Sequence, residues 1–557
     1  MADLSARQHQ MFPVLNPHQV ETARRFASSE PRRFEPGDVV YKLGDHAAPA
    51  WLVLEGSMDV FRHEGLSHEA PITTHGVGQL SGEVNQLSGR PTLAGARAGA
   101  AGCTAVAFDA AHLRALVIGS ADVGEIIMRS FILRRVGLID AGAGSVLIGT
   151  PGNAALSRLQ GFLARSAFPY IVLDAAAAGE GRALIERLGI PASDLPLMVC
   201  PNGTVLKKPT DAEAAACLGM TPKLIPGKLY DVAVVGAGPA GLATAVYAAS
   251  EGLDVIVIDE RSVGGQAGAS TRIENYLGFP TGISGHALAG RAYNQALKFG
   301  AEMVLPVEVS GLIPPKDEGA PLSLALAGGE TVLARSLVIA SGARYRRPEI
   351  ANIGTFEGNG VSYWATPIEA KLCAGEEVAL VGGGNSAGQA IVFLAPQVRT
   401  LHLVVRRALE ETMSQYLIDR IKALPNVELH MHCEVDAIDG DPAIGLSSAT
   451  LRNRLDGSQR QLPLHHLFLF IGADPNTGWI SDRVHIDAKG FIVTGRSFDT
   501  LRGFARNPLP LETSLPNVFA IGDVRAGSTK RVAAAVGEGA AVVSQIHEAL
   551  SFASTAR

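Results

Sequence analysis

Three glycines and one carboxylate form the first constellation able to do chemistry. Gly236-x-Gly238-x-x-Gly241 follows at once on the apolar run Val232 to Val235, and Asp259 closes a second apolar run, Val255 to Ile258. Short apolar runs of this kind suit buried parallel strands. An Ala-rich helix opening at Pro239 and Ala240 fills the interval. Gly236 permits the tight turn, Gly238 lets the backbone approach a pyrophosphate, and Gly241 lets the helix pack on the strand. A pyrophosphate sits at such a helix start because free N–H groups and the helix dipole favour an anion. Asp259 stands about 20 residues on, where a carboxylate accepts a ribose hydroxyl. Strand, turn, helix, strand and acid all point to dinucleotide binding rather than to a bare glycine-rich turn.

A second constellation repeats the pattern with one change. The strand-like run Glu377 to Val381 leads into Gly382-x-Gly384-x-x-Ala387, with Asn385 and Ser386 opening a helix. The next strand, Leu401 to Val405, ends without an acid, and Arg406 and Arg407 follow. Arginine in place of the ribose-binding carboxylate favours a 2′-phosphate. The competing reading is a solvated basic pair, and Glu410 and Glu411 follow close behind.

The elements that position these groups occupy only part of the chain. At 557 residues the expectation is three or four domains, each with its own core. A net charge of −6 gives no general pull toward nucleic acid or an anionic membrane. No signal peptide and no apolar run of about 18 residues is evident, so a cytoplasmic protein is expected. Cys103, Cys200, Cys217, Cys373 and Cys433 are scattered without a C-x-x-C or metal spacing. They are expected to be small buried hydrophobes in a reducing compartment.

Up to Val106, short β-type runs alternate with turns such as Pro36-Gly37-Asp38, as in a jelly roll, and a helical pattern covers 110–138. The order resembles a cyclic-nucleotide-binding domain. Gly82 and Glu83 match the start of that family's phosphate-binding cassette, but its arginine falls on Thr92, with Arg90 and Arg97 nearby. A neutral threonine cannot make the bidentate phosphate contact of arginine. Binding of a cyclic nucleotide is therefore doubtful, and a structural or oligomerisation role is expected. Residues 141–225 show a βαβα-ββα order resembling a thioredoxin or glutaredoxin fold, with Pro196 at the family's cis-proline position. The resemblance places a redox pair at the start of the first helix, where Thr150-Pro151-Gly152-Asn153 stands instead. With no thiol to activate there, the module is expected to be a redox-inactive spacer or docking surface.

From residue 226 onward the motifs Gly264-Gly265-Gln266-Ala267, Ile273-Glu274-Asn275, Val338 to Ala343 and Val518 to Asp523 resemble the low-molecular-weight thioredoxin reductase family. The resemblance implies FAD and NADPH, with NADH as the alternative. It implies that Asp259 holds the adenosine ribose and that Gly265, Gln266 and Asn275 line the flavin. Gly342 marks the exit from the FAD domain, Gly522 and Asp523 reach the ribityl chain and pyrophosphate, and Arg531, Val532 and Ala533 lie beside the ring system. The family's dithiol position is occupied by Trp364-Ala365-Thr366-Pro367, and Cys373 lies too far along to replace it. Thiol exchange requires one attacking and one leaving thiolate.

The expected architecture is thus multidomain: a jelly roll (1–140), an α/β thioredoxin-like module (141–225) and an α/β two-domain nucleotide-binding flavoprotein. In the last, an FAD domain (226–345 and 470–557) is split by an NAD(P)H domain (346–469). The expected activity is NAD(P)H reduction of FAD, with electrons passing to an unidentified small-molecule or protein acceptor. The alternative is a non-catalytic flavin- or nucleotide-binding redox sensor or regulatory scaffold. A homodimer is implied by the resemblance alone.

Overall fold

The computed structural model describes residues 7–64, 66, 68–141, 144–166, 168–313, 320–442, 444–495 and 507–555. Two short helices open it, α1 (Gln8–Met11) and α2 (Pro17–Arg24). A capping box of Asn16 and Gln19, with Pro17 in the first turn, fixes the start of α2. Strands β1 (Arg32–Phe34), β2 (Val39–Tyr41), β3 (Ala50–Glu64), β4 (His68–His75), β5 (Leu80–Ser81) and β6 (Gly95–Phe108) form one antiparallel sheet system. The long strands β3 and β6 pair along most of their length. Helices α3 (Ala110–Gly119) and α4 (Ala121–Asp140) follow, separated only by Ser120.

The second region runs β7 (Ser145–Gly149), α5 (Ala154–Arg165), β8 (Tyr170–Asp174), α6 (Glu180–Leu188), β9 (Leu197–Val199), β10 (Val205–Lys207) and α7 (Asp211–Cys217). Its sheet order is β10-β9-β7-β8, with β7 and β8 parallel and β9 antiparallel to β7. The Leu195–Pro196 peptide bond is cis. Leu93 and Leu138 of the first region are buried in the same cluster as Leu147, Leu159 and Met198. The expectation of five unpaired cysteines is corrected here: Cys200, just past β9, and Cys217, at the end of α7, form a disulfide. They lie 17 residues apart with no motif between them, and only the return of α7 against the sheet brings them together. Cys103 and Cys373 are free and buried, and Cys433 is free and half-buried.

The third region begins with β11 (Leu229–Val235), α8 (Pro239–Ser250), β12 (Val255–Ile258), α9 (Gly265–Gly268), α10 (Gly285–Phe299), β13 (Glu302–Val304), β14 (Val309–Ile313), β15 (Leu322–Leu326) and β16 (Thr331–Ile339). Their sheet has the order β13-β12-β11-β16-β15-β14. Strands β11, β12, β13 and β16 are parallel, as their near-continuous apolar sequences require. The chain leaves through β17 (Ala343–Tyr345) and passes α11 (Ile353–Phe356), β18 (Val361–Ser362), α12 (Pro367–Leu372), β19 (Glu377–Val381), α13 (Asn385–Leu394), β20 (Thr400–Val405), α14 (Gln415–Lys422) and β21 (Val427–Met431). Then come β22 (Cys433–Asp441), β23 (Gly445–Asn453), β24 (Gln459–Pro463), β25 (His466–Leu469) and β26 (Ala473–Pro475). A parallel sheet of order β18-β25-β19-β20-β21 results. One of its faces packs on α13 and α14, the other on the antiparallel β22-β23-β24 layer. β17 and β26 pair with each other as the two strands of the crossing. Finally β27 (Val518–Ala520) joins the first sheet beside β16, and α15 (Val532–Thr555) crosses α8. Among the described residues no helix is long and apolar enough to cross a membrane.

Candidate functional site

The glycine turn after β11 is as tight as its sequence demands. Gly236 sits at φ +112°, and a Cβ there would lie 2.2 Å from the Ala340 carbonyl oxygen. A Cβ on Gly241 would meet the Gly236 carbonyl at 1.9 Å. Gly238 differs: a Cβ there would come no closer than 4.0 Å to any other part of the chain, at Gly265 Cα, so its bareness serves no protein contact. Gly238 is also the N-cap of α8, and no side chain bonds to the helix start. Pro239 opens the first turn without an N–H of its own, and the amides of Ala240 and Gly241 are thereby left for an anion.

Of the other predicted residues, Gly265 and Gly522 come against this turn. Gly265, at φ +52°, faces Gly238 closely enough that a Cβ would lie 3.2 Å from its Cα. The Gln266 side-chain amide donates to the Ala343 carbonyl, tying α9 to the exit strand. Gly342, at φ +65°, is bonded through its carbonyl to the Asn476 amide, so exit and return strands meet there. Gly522 lies against Ala240, where a Cβ would be 3.0 Å away. Arg531, Val532 and Ala533 stand at the start of α15, with Arg531 and Ala533 exposed. Asn275 is exposed in the loop beyond α9.

Asp259 does more than close β12. Its Oδ2 accepts the Ala237 N–H at 2.7 Å, and its Oδ1 accepts the Arg261 and Ser262 amides at 2.8 and 3.2 Å. Burial pushes its carboxyl upward, against these three donors. Two residues of this site escaped the sequence reading. Glu538 of α15 accepts the Gly522 N–H at 2.7 Å and pairs with Arg525 at 2.6 Å. The Lys530 ammonium donates to the Asp523 carbonyl at 2.6 Å. Glu538 was detectable as a lone charge in the Ala- and Val-rich stretch 532–543. Burial raises the Asp523 carboxyl, and Lys530 opposes the shift.

The second turn has the same construction. A Cβ on Gly382 would lie 2.4 Å from the Phe470 carbonyl, whereas Gly384 has nothing within 4 Å. Gly384 caps α13 with no side-chain bond to the helix start. Ala387 is fully buried and Ser386 exposed. The Asn385 carboxamide turns away, accepting the Ser414 N–H at 2.7 Å. Arg406 and Arg407 are both exposed just past β20. Arg407 pairs with Glu411 at 3.4 Å, and no hydrogen bond or ion pair is formed by Arg406 among the described residues.

The two nucleotide units touch beside the first turn. The Thr271 hydroxyl donates to the Ala365 carbonyl at 2.8 Å, and Arg420 pairs with Glu274. The Trp364 indole N–H donates to Glu369 at 3.0 Å, and the same carboxylate accepts the Thr366 amide at 2.9 Å. Trp364 thus packs against its own unit's core. Cys373 is fully buried, and burial pushes its thiol up to about 11.

In the first region, neither the two arginines near the cassette nor Thr92 faces a common phosphate position. Arg90 donates to the Met220 and Met303 carbonyls at 3.3 Å and lies over Tyr293 of α10. Arg97 pairs with Glu69 on the sheet surface. Thr92 is buried, its hydroxyl donating to the Lys42 carbonyl at 2.6 Å. A partly open cavity of about 260 Å³ nevertheless lies between the strands and the flanking helices, lined by Phe12, His75, Glu83, Gln86, Thr92 and Arg134 among others. Arg134 is buried and donates to the Met11, Leu80 and Gly82 carbonyls. Burial drives His75 down to about 3, so it is neutral.

Residues 230–539 match the family described as pyridine nucleotide-disulphide oxidoreductase, and residues 31–119 match the cyclic nucleotide-binding domain. The chain is 30% identical over 321 residues to the thioredoxin reductase of Mycoplasma genitalium, covering 58% of this chain and 95% of that one. It is 32% identical over 318 residues to the bifunctional thioredoxin reductase/thioredoxin of Mycobacterium leprae, covering 56% of this chain and 64% of that one. Among solved structures, the thioredoxin reductase of T. acidophilum aligns with a TM-score of 0.51 at 28% identity, covering 57% of this chain and 98% of that one.

Proposed function

The chain belongs to the pyridine nucleotide-disulphide oxidoreductase family, and from that premise we propose an oxidoreductase in which NADPH reduces FAD and the electrons leave without a dithiol of the chain's own. It is an NAD(P)H-dependent flavoprotein enzyme that uses FAD and NADPH. Bound FAD supplies a ring that takes a hydride from the nicotinamide and hands electrons on.

The chain's own residues bind and orient. Gly236, Gly238, Gly241 and the start of α8 would hold the FAD pyrophosphate, with Gly265 opposite and Gly522 and Asp523 closing the cradle. Glu538 and Lys530 would position that last loop through its backbone. Asp259 would hold the turn through Ala237 and offer its remaining lone pairs to the ribose. Gly382, Gly384 and α13 would cradle NADPH, with Arg406 as the principal reader of the 2′-phosphate and Arg407 as the second. Arg407 must first release Glu411. The FAD domain is assigned to 226–345 and 470–557 and the NADPH domain to 346–469, a division supported by the β17–β26 crossing.

The observation that carries the dithiol-free reading is Trp364-Ala365-Thr366-Pro367 beside Thr271, next to the flavin loop. This segment holds no sulfur, and Cys373 is buried and protonated. The 141–225 module is read as thioredoxin-like and redox-inactive at its helix start, where Asn153, not a thiol, accepts the Leu156 amide at 3.0 Å. Its Cys200–Cys217 disulfide lies elsewhere in the module. The electrons are assigned to an acceptor outside the chain.

An anaerobic NADPH titration tests this. About one NADPH per FAD at full bleaching fits a flavin acting alone, whereas about two would show an internal disulfide accepting a second pair and refute the reading. No bleaching at all would favour the sensor alternative.

A further inference from the structure

We propose that the NADPH-domain sheet carries a site for a divalent transition metal of the zinc type, held by His402, Glu428 and His430. Parallel pairing of β20 and β21 sets His402 opposite Glu428 and Val404 opposite His430. Alternate residues of a strand share a face, so the three side chains emerge together at the edge of the sheet. This is the face covered by β22 to β24, not the one packed on α13 and α14.

The spacing is that of a coordination shell. His402 Nδ1 lies 3.1 Å from His430 Nε2 and 3.4 Å from a Glu428 carboxylate oxygen. The remaining pair, His430 Nε2 and Glu428, is 3.9 Å apart. Bonds of about 2.0–2.1 Å in a tetrahedron place ligand atoms roughly 3.3 Å from one another. The three atoms therefore stand near three corners of one tetrahedron, and the fourth corner is left for water. Two imidazoles and a carboxylate are a donor set that zinc accepts.

A second, independent observation concerns the other nitrogen of His402. The residue is only 3% exposed, and its Nε2 has no hydrogen-bond partner. The Glu377 carboxylate stands 3.8 Å from it on β19. A simple hydrogen bond between the two histidines leaves this nitrogen unsatisfied when His402 donates from Nδ1. Metal on Nδ1 requires the proton on Nε2, which then points at Glu377. Metal-bound histidines characteristically donate their other N–H to a carboxylate in this way. A shift of about 0.8 Å would complete that bond. Arg460, 3.9 Å from Glu428, and Arg399, 3.2 Å from Glu377, are the cations that face the cluster. Each leaves its carboxylate further acceptor capacity.

The test uses the full-length, untagged, FAD-loaded chain after chelator treatment. Co²⁺ is titrated in and its d–d bands are read to the red of the flavin absorption. The expected result is about one Co²⁺ per chain with the intense bands of four-coordination, displaced by Zn²⁺. Affinity should fall at least about tenfold in Glu428→Gln and in His430→Asn. His402 is left intact because it is buried. Flavin absorbance and thermal unfolding verify that the variants fold, and Zn²⁺ should raise the unfolding temperature of the parent chain more than that of either variant. Absence of intense bands, or bands unchanged in both variants, overturns the proposal. NADPH reduction of the flavin is read separately, so failure of the metal site leaves the oxidoreductase reading standing.

Discussion

Replacing Arg406 by alanine should separate the two nicotinamide cofactors. Arg406 is exposed past the end of β20 and forms no ion pair among the described residues, whereas Arg407 is held by Glu411 at 3.4 Å. A charge-assisted hydrogen bond contributes about 1.5–3 kcal/mol. At an exposed strand end the lower limit applies, which is about tenfold in affinity. Arg407 must give up an exposed ion pair worth about 0.3–0.5 kcal/mol before it can bind, so its loss should matter less, about sixfold. The assay is anaerobic stopped-flow reduction of the flavin at increasing NADPH or NADH, which separates the apparent Kd from the limiting rate. In Arg406→Ala the Kd for NADPH should rise about tenfold, the Kd for NADH should move less than about twofold, and the limiting rates should hold. Glu411→Gln should tighten NADPH slightly by freeing Arg407. The parent chain's preference for NADPH should shrink as salt screens the exposed charges. Equal losses for both nucleotides, or a parent chain that prefers NADH, would refute the assignment of this corner to the 2′-phosphate.

Gly236→Ala forces a Cβ to 2.2 Å from the Ala340 carbonyl at a positive φ, so the purified variant should carry little FAD; full occupancy by absorbance would contradict the cradle. Glu538→Gln keeps the shape but removes the charge that holds Arg525 and the Gly522 amide. It should weaken FAD retention about tenfold in dialysis, with far-UV circular dichroism unchanged. His75 titrates near 3 in the fold because it is buried beside Phe12 and Arg134, below the ordinary 6.5 of an unfolded histidine. Its depressed value means the unfolded chain binds a proton that the folded chain does not. Stability is therefore full above about pH 6.5 and falls by about 1.4 kcal/mol per pH unit between there and about 3. His75→Gln should flatten that acid limb in urea melts followed at several pH values, and an unaltered limb would place the acid sensitivity elsewhere.

The glycine turns were legible because each glycine answers a local requirement that spacing alone expresses. Gly236 and Gly382 must avoid a carbonyl, Gly238 and Gly384 must leave a helix start bare, and nothing outside a short window is needed to see it. The parallel strands β11, β12 and β19 were legible for the same reason, as apolar runs too short for helices. What stayed hidden depends on long-range return of the chain. Glu538 meets Gly522 only because α15 folds back, and Arg134 reaches Leu80 and Gly82 from the far end of the first region. Cys200 and Cys217 become a pair only once α7 docks. His402 and His430 required the register of β20 on β21.

Three positions where family resemblance expects reactive or charged groups share one structural property. Thr92, at the cassette arginine, is buried with its hydroxyl donating to Lys42. Asn153, where the thioredoxin resemblance would place a thiol, caps α5 through Leu156. Thr366, at the dithiol, is held with Trp364 by the carboxylate of Glu369. In each case the side chain present bonds within the protein. The starts of α8 and α13 are the opposite case, since neither has a side-chain cap and both begin on a glycine with open space beside it. Unfilled backbone donors at a helix start cost free energy unless water or an anion meets them. Placing a cysteine pair at 364 and 367 would remove the Trp364 bond to Glu369 before it could supply thiols. Such a variant should lose thermal stability without gaining a second NADPH equivalent in the anaerobic titration, and a gain of that equivalent would show that the segment had kept the geometry of a dithiol site.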